Sequence, residues 1–425
     1  MKIKQLIQVS GLSFALVALS QSVHGDSGQG TFSAWGSDIF GQSTIPAGRG
    51  FRAIVGGNAH SVGLYDDGTV ACWGQNAFGQ ASAPGDLRNV VQVAAGGWYN
   101  VDDPRAHSAA LLADGTVRTW GNNQYGQCDV PAGLNHVVQV VCGWAHTAAL
   151  KDDHSVVVWG AGDNNSVDPN WGQRAVPNDL GAVDFISTKG CHIMALRTDG
   201  VVRCWGRNAE GQSTVPTMPA VVQIAAGSDH SVALDVDGHV RCWGWDFFRQ
   251  SSDVPEDTLF SRVDATTYGS MGLTRDGRVL VWGWVASPPQ TPGCIQGIAG
   301  GGYHAFAQLG ADADGDGLCD ANDNCSAVFN PDQADCDHDG SGDACEIANG
   351  YASDLNHNGI PDTCECLGDI LVDGRVDGAD LGAVLSYWGP ASSSPTSQAC
   401  DVNKNGVVNG ADLGILLSNW GPCSN

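Results

Sequence analysis

The stretch His230–Gly244, H-S-V-A-L-D-V-D-G-H-V-R-C-W-G, decides the fold of this chain. It holds a short apolar run, an Asp-Gly pair and a second run that ends in Trp-Gly. Two such runs around Asp-Gly predict a β-hairpin, with a type I′ turn that places both central residues at positive φ. The hairpin recurs. Its Trp-Gly pair stands at Trp35, Trp73, Trp120, Trp159, Trp205, Trp243 and Trp282, with spacings of 38, 47, 39, 46, 38 and 39 residues. A period near 40 with strand signals in each copy marks a propeller-type repeat.

Each full unit begins with an apolar run ending in Ala-Gly or Gly-Gly, such as Val90–Gly97 or Val221–Gly227. A His-led strand follows, then the Asp-Gly turn, the Trp-Gly strand and a Gly-Gln pair (Gly79-Gln80, Gly126-Gln127, Gly211-Gln212). This pattern, H-S-x-A-L-x-x-D-G-x-V-x-x-W-G-x-N-x-x-G-Q-x-x-x-P, resembles the RCC1 repeat. The resemblance covers roughly two thirds of the chain. It implies a mainly β fold, a seven-bladed β-propeller over residues 31–310. The first Trp-Gly strand, Thr31–Gly36, has no His-led strand before it, and the last His-led strand, His304–Leu309, has no Trp-Gly strand after it. Pairing the two completes a seventh blade from both ends of the repeat region and removes an open sheet edge.

Departures carry information. His154 replaces the turn glycine, and Gly269 stands where the repeat histidine is expected. Two spacings are long because of insertions near 98–106 (Trp98, Tyr99, Asp102, Asp103) and 161–171 (Asp163, Asn164, Asn165, Trp171). Turns of an antiparallel sheet alternate between its ends, so both insertions are expected on one face, as a candidate ligand surface. His60, His107, His146, His192, His230 and His304 recur at one repeat position, which reads as a structural hydrogen-bonding element. No catalytic residue is assigned, since no G-x-S-x-G, phosphate loop or H-E-x-x-H occurs.

Composition changes abruptly after residue 311. The chain carries a net charge of −26, and from Asp312 onward 20 acidic residues face 2 basic ones. Such acidity argues against a nucleic-acid partner, whose phosphates would repel it. Three acidic runs follow in residues 312–365. They are Asp312-x-Asp314-x-Asp316-Gly317 with Asp320 and Asp323, Asp335-x-Asp337-x-Asp339-Gly340 with Asp343, and Asp354-x-Asn356-x-Asn358-Gly359 with Asp362. Alternating carboxylates before glycine place hard oxygen ligands around one ion, which points to calcium. These runs resemble thrombospondin type 3 repeats, an irregular linker ordered by calcium and disulfides.

Residues 366–425 hold two further loops 32 residues apart. One reads Asp369-x-Leu371-x-Asp373-Gly374 with Asp377 and Asp380; the other Asp401-x-Asn403-x-Asn405-Gly406 with Asn409 and Asp412. The second fits an EF-hand-type loop, whereas Leu371 occupies a ligand position and cannot coordinate. Each loop precedes apolar residues at helical spacing (Leu381, Val384, Leu385, Trp388; Leu413, Leu416, Leu417, Trp420) and ends in Trp-Gly-Pro. The duplicated unit resembles the small α-helical dockerin domain, which implies calcium binding and a cohesin-like partner.

Residues 1–25 have the charged start, short apolar run and small residue before the cut of a secretory signal peptide, and no later segment approaches the ~20 apolar residues of a membrane span. Of fifteen cysteines, eight lie in the tail, as suits disulfides in an oxidising compartment, while Cys72, Cys204 and Cys242 read as small buried hydrophobes. The expectation is a secreted or surface-bound, calcium-binding, non-enzymatic protein with an extracellular protein or cell-wall partner. Two alternatives carry over: a secreted inhibitor like the propellers that block β-lactamases, or a polysaccharide-active component, since dockerins accompany glycoside hydrolases. The nuclear exchange-factor role found in the RCC1 family fits neither the signal peptide nor the acidic charge.

Overall fold

The computed structural model describes residues 31–98, 105–161, 170–289, 294–320, 322–354, 359–361, 364–371, 374–392 and 394–422. The expected signal peptide lies outside them. The chain divides into two units, Met1–Gly310 and Ala311–Asn425.

Among the described residues, the first unit holds seven antiparallel three-stranded sheets. The first is Ala53–Gly56, His60–Leu64 and Val70–Gly74; the second Val90–Gly96, His107–Leu112 and Val117–Gly121; the third Val137–Cys142, His146–Lys151 and Val156–Gly160. The fourth is Val183–Ser187, His192–Arg197 and Val202–Gly206; the fifth Val221–Ala226, His230–Asp235 and Val240–Gly244; the sixth Phe260–Ala265, Gly269–Thr274 and Val279–Gly283. The seventh joins Ile295–Gly300 and His304–Leu309 to Thr31–Gly36, with Trp35 opposite Ala305.

The hairpin turns differ from the type I′ expectation. Tyr65 N–H bonds Thr69 O at 2.9 Å, Gly68 N–H bonds Tyr65 O at 3.0 Å, and only Gly68 has positive φ. This is a type I turn closed by a left-handed glycine, the three-residue hairpin loop. Asp67 therefore needs no positive φ, and its carboxylate accepts Thr69 N–H instead. His154 takes the glycine's place at φ 65°, as a residue more tolerant of that region than most.

Burial explains the apolar pattern. Each core lies between neighbouring sheets: Val62, Leu64, Val93 and Trp120 between the first and second, and Ala233, Trp243 and Ile224 with Met194 between the fourth and fifth. Met271, Ile298 and Trp35 join the sixth to the seventh, and Phe306 and Ala299 of the seventh pack on Phe51, Ile54 and Trp73 of the first.

A repeated polar ring accompanies these cores. In the fifth sheet Ser231 Oγ donates to Gln212 O at 2.9 Å, Trp243 Nε1 donates to the same carbonyl, and His192 Nε2 of the fourth sheet lies 3.0 Å from Ser231 Oγ. The hydroxyl's one proton is spent on the carbonyl, so it must accept from His192 Nε2–H. The same triplet joins His304 to Ser61, His60 to Ser108, His107 to Thr147 and His230 to Ser270. At the fourth sheet Ile193 stands where the hydroxyl belongs, and Thr188 takes over, 3.1 Å from His146 Nε2. At the sixth sheet Gly269 replaces the histidine, and its counterpart in the seventh, Ala305, has no hydroxyl; both partners are absent together.

The histidine rings also account for the glycines three residues before them at Gly57, Gly143, Gly227 and Gly301, whereas the fourth sheet carries Lys189 at that place. A Cβ on Gly143 or Gly227 would stand 2.2 or 2.1 Å from the ring of His146 or His230. Where Gly269 removes the ring, Thr266 occupies the glycine's position and its hydroxyl bonds Gly269 N–H at 3.0 Å. Substituting Ser231→Ala strands a buried His192 donor, so a loss of about 1–3 kcal/mol is expected. Urea midpoints of the variant and the parent protein measure it; an unchanged midpoint contradicts this role for the ring.

In the second unit, α1 (Asp343–Asn349), α2 (Gly378–Ser386), α3 (Pro395–Cys400) and α4 (Gly410–Ser418) are the helices among the described residues. Val376, Val384, Cys400, Val408 and Leu416 form its core. The two halves exchange their ends: Arg375–Val376 pairs with Gly421–Pro422, and Gly389–Pro390 pairs with Val407–Val408. This exchange gives the duplicated Trp-Gly-Pro a structural purpose. Disulfides link Cys325 to Cys345 and Cys336 to Cys364, and Cys294, Cys319 and Cys366 are also bonded. Cys400 departs from the disulfide expectation as a free, buried thiol in the core. Cys72, Cys204 and Cys242 are free and resist ionisation, burial pushing Cys72 and Cys242 up to about 12.

Candidate functional site

Five loops in the second unit share one local geometry. The leading aspartate accepts the N–H of the glycine five residues on, in the pairs Asp312–Gly317, Asp335–Gly340, Asp354–Gly359, Asp369–Gly374 and Asp401–Gly406, at 2.7–3.1 Å. Each of these glycines has φ between 85° and 97°. That left-handed residue turns the chain sharply, as a loop that wraps an ion requires.

In the first two loops carboxylate oxygens converge. Those of Asp312, Asp314 and Asp316 lie within 4.8 Å of one another, as do those of Asp335, Asp337 and Asp339. One oxygen each of Asp314 and Asp335 is buried without a hydrogen-bond partner among the described residues. Burial first, then repulsion from Asp316, Asp323 and Asp312, raises the Asp314 carboxyl above its usual range. Crowded acceptors with an unsatisfied buried oxygen fit a hard divalent cation, which would supply the missing positive charge. One oxygen each of Asp320, Asp323 and Asp343 accepts a backbone N–H, from Ala313, Cys325 and Cys336.

The C-terminal loops differ in completeness. Asp401 is 4% exposed and Asp412 fully buried; Asp412 accepts both Asn403 N–H and Asn409 N–H, fastening the far end of the loop to its start. Asn409 caps α4 through Ala411 N–H, and Asp377 caps α2 in the same way through Ala379 N–H. The first copy keeps this frame, with Asp380 accepting Leu371 N–H and Asp377 N–H, but the Leu371 side chain is half exposed and offers no ligand. Asn405 directs its oxygen to Val407 N–H. Asn356, Asn358, Asp362 and Asp373 lie outside the described residues. The apolar stripe on each helix is split: Val384 and Leu416 are buried, while Leu385, Leu417, Trp388 and Trp420 are about half exposed.

On the first unit, the residue after each Trp-Gly bonds the carbonyl just before the repeat histidine position, as in Trp245 N–H to Asp229 O and Trp284 N–H to Tyr268 O. The exit of the third strand and the loop between the first two therefore share one face, as expected for the insertions. Of the candidate ligand residues, Trp98 packs on Trp144 at 4.4 Å between ring centroids, and Trp171 lies under the Arg207 guanidinium at 5.9 Å. Tyr99, Asp102, Asp103, Asp163, Asn164 and Asn165 lie outside the described residues.

The same face carries a feature that the insertions did not reveal. Trp245, Phe247 and Phe248 meet Tyr268, Trp284 and Tyr303 in one continuous set of ring contacts. Its signal in the sequence was Trp-Gly-Trp, at 243–245 and again at 282–284.

The repeat histidines are unsuited to catalysis. All six are buried and held neutral, burial pulling His60, His146, His230 and His304 down to about 3 and His107 and His192 to about 4.

Comparison with known proteins agrees with this division. The profile of the Regulator of chromosome condensation (RCC1) repeat matches residues 51–80, 105–127, 137–166, 183–212 and 221–250, and that of the dockerin type I domain matches 367–418. The sheets outside the five repeat matches are the sixth, which lacks its histidine, and the seventh, which is split between distant segments. No curated protein is a detectable relative. Human WBSCR16 is similar in structure at 21% identity, with 66% of this chain and 98% of that one covered and a TM-score of 0.52. Yeast RCC1 (Prp20), from its complex with Kap60, is similar at 18% identity, covering 70% and 91%, with a TM-score of 0.54. These likenesses concern the fold. Among the described residues no helix is long and apolar enough to cross a membrane. The chain therefore joins RCC1 repeats of propeller type to a dockerin type I domain.

Proposed function

We propose that this is an exported, non-enzymatic binding protein, in which a seven-bladed propeller displays a ligand face and a calcium-ordered tail tethers it. The observation that carries the reading is the pairing of RCC1 repeats with a dockerin type I domain in one chain. Seven sheets with cores between successive neighbours, and the first packed on the seventh, support a closed ring of seven blades. Their polar ring is a structural hydrogen-bonding element.

Asp312, Asp314 and Asp316, Asp335, Asp337 and Asp339, and Asp401, Asn403, Asn405 and Asp412 would hold calcium, in thrombospondin type 3-like repeats and an EF-hand-type loop. Calcium supplies charge compensation and loop order there. The protein's own residues set the loop shape through the aspartate-to-glycine bonds. Disulfides and the leading segment support export.

The test is retention of the full chain on an immobilised type I cohesin. Binding in calcium and release by chelator is the expected result. No retention at any calcium concentration contradicts the tether.

A further inference from the structure

We infer that the aromatic cluster at the fifth, sixth and seventh sheets is the anchor of a docking surface for a protein whose contact surface is basic. This rests on the reading of the repeat unit as a binding module and names the kind of partner it takes.

The rings are exposed at a cost that needs a reason. Phe247 is 77% exposed, Trp284 56% and Tyr303 37%, although they belong to one contiguous patch. Patches of this kind on a folded surface mark contact sites, and Trp and Tyr dominate the energetic centres of interfaces. The cluster is also rigid. Tyr268 and Trp284 stack at 5.7 Å with planes 8° apart, and Tyr303 meets both edge-on. Rings that already hold one another lose little freedom on binding.

Charge selects the partner. Asp246 sits between Trp245 and Phe247, and Asp38 follows the strand whose next residue, Ser37, bonds Tyr303 O. Neither has an ion-pair partner among the described residues. Arg207 is shared between Asp229 and Glu210, and Arg249 faces Asp253 at 3.5 Å. Among the described residues of these loops, five carboxylates (Asp38, Glu210, Asp229, Asp246 and Asp253) stand against the guanidinium groups of Arg207 and Arg249. Ring faces beside surplus carboxylates attract a cationic side chain with an apolar stem, an arginine or lysine of the partner, and repel an acidic one.

The probe is a random peptide library displayed on phage and panned on the immobilised full chain. Enriched peptides should combine Arg or Lys with apolar residues. Their synthetic forms should bind about tenfold or more weakly to a Phe247→Ala, Trp284→Ala variant, the scale of loss at an aromatic anchor. Binding should also weaken as salt rises, and Asp246→Asn should reduce that salt dependence. The substituted rings are exposed, so an unchanged circular dichroism spectrum and melting temperature establish that the variants are folded.

Several results would overturn the proposal. They are failure to enrich any peptide, enriched peptides without basic residues, or unchanged affinity for the double variant. Loss of binding on Trp171→Ala instead would overturn the anchor while leaving the repeat unit a binding module. Retention of soluble polysaccharides by the parent protein in affinity gels, lost in the double variant, would also overturn it, as a carbohydrate platform.

Discussion

Acidification from pH 7 to pH 4 is expected to unfold the repeat unit, and over a narrow range. Six buried histidines bind no proton in the folded state until about pH 3–4, whereas in the unfolded chain they titrate near 6.5. Between those values the unfolded state binds more protons, so stability falls as pH falls. Each such histidine contributes a slope of up to about 1.4 kcal/mol per pH unit. Six together reach roughly 10 kcal/mol by pH 5, which is comparable to the whole stability of a typical domain. Protonation would also be hard to accommodate, because Nδ1 of five of these rings is buried without a partner. Tryptophan fluorescence and near-ultraviolet circular dichroism follow the transition. Native signals retained at pH 4 would contradict the neutral-histidine ring.

Calcium removal is expected to have the second large effect, confined to the tail. Without a cation, the convergent carboxylates of Asp312, Asp314 and Asp316 repel one another, and the few apolar residues of Val376, Val384, Val408 and Leu416 form a small core. An ion bound at a thousandfold its dissociation constant contributes about 4 kcal/mol per site. At neutral pH, chelator should therefore open residues 312–422 to chymotrypsin, with Tyr351, Trp388 and Trp420 as exposed targets. The Cys325–Cys345 and Cys336–Cys364 bridges limit how far the linker can spread. The repeat unit should survive the same digestion. Equal protection of the tail with and without calcium would contradict ion-dependent order.

Much of the architecture was legible because it repeats. Trp-Gly, the His-led strand and the turn glycine recur at nearly fixed spacing, so periodicity alone located the sheets and predicted the pairing of Thr31–Gly36 with His304–Leu309. Spacing likewise found the five acidic loops. The turn type differs from the type I′ expectation because Asp-Gly serves both two- and three-residue hairpin loops, and only the bond from Tyr65 to Thr69 separates them.

What stayed hidden depends on contacts between sheets. Joint loss of the histidine at Gly269 and the hydroxyl at Ala305 is invisible until the two positions are seen as neighbours. The aromatic cluster escaped for the same reason: its members are ordinary in their own repeats and meet only through the fold. Long insertions stand out in the spacing, whereas the exposed rings sit in loops of ordinary length. Cys400 reads as one of eight tail cysteines by count, yet the small core buries it as a thiol.

On the proposed reading, burial and a neutral polar ring hold the repeat unit, while ions would hold the tail. One calorimetric measurement on the full chain tests both statements, by thermal unfolding at neutral pH in calcium and then in chelator. Two transitions are expected in calcium, with chelator lowering or abolishing one and leaving the other in place. A single transition that moves as a whole with calcium would contradict the division of the molecule into a burial-held display unit and an ion-held tether.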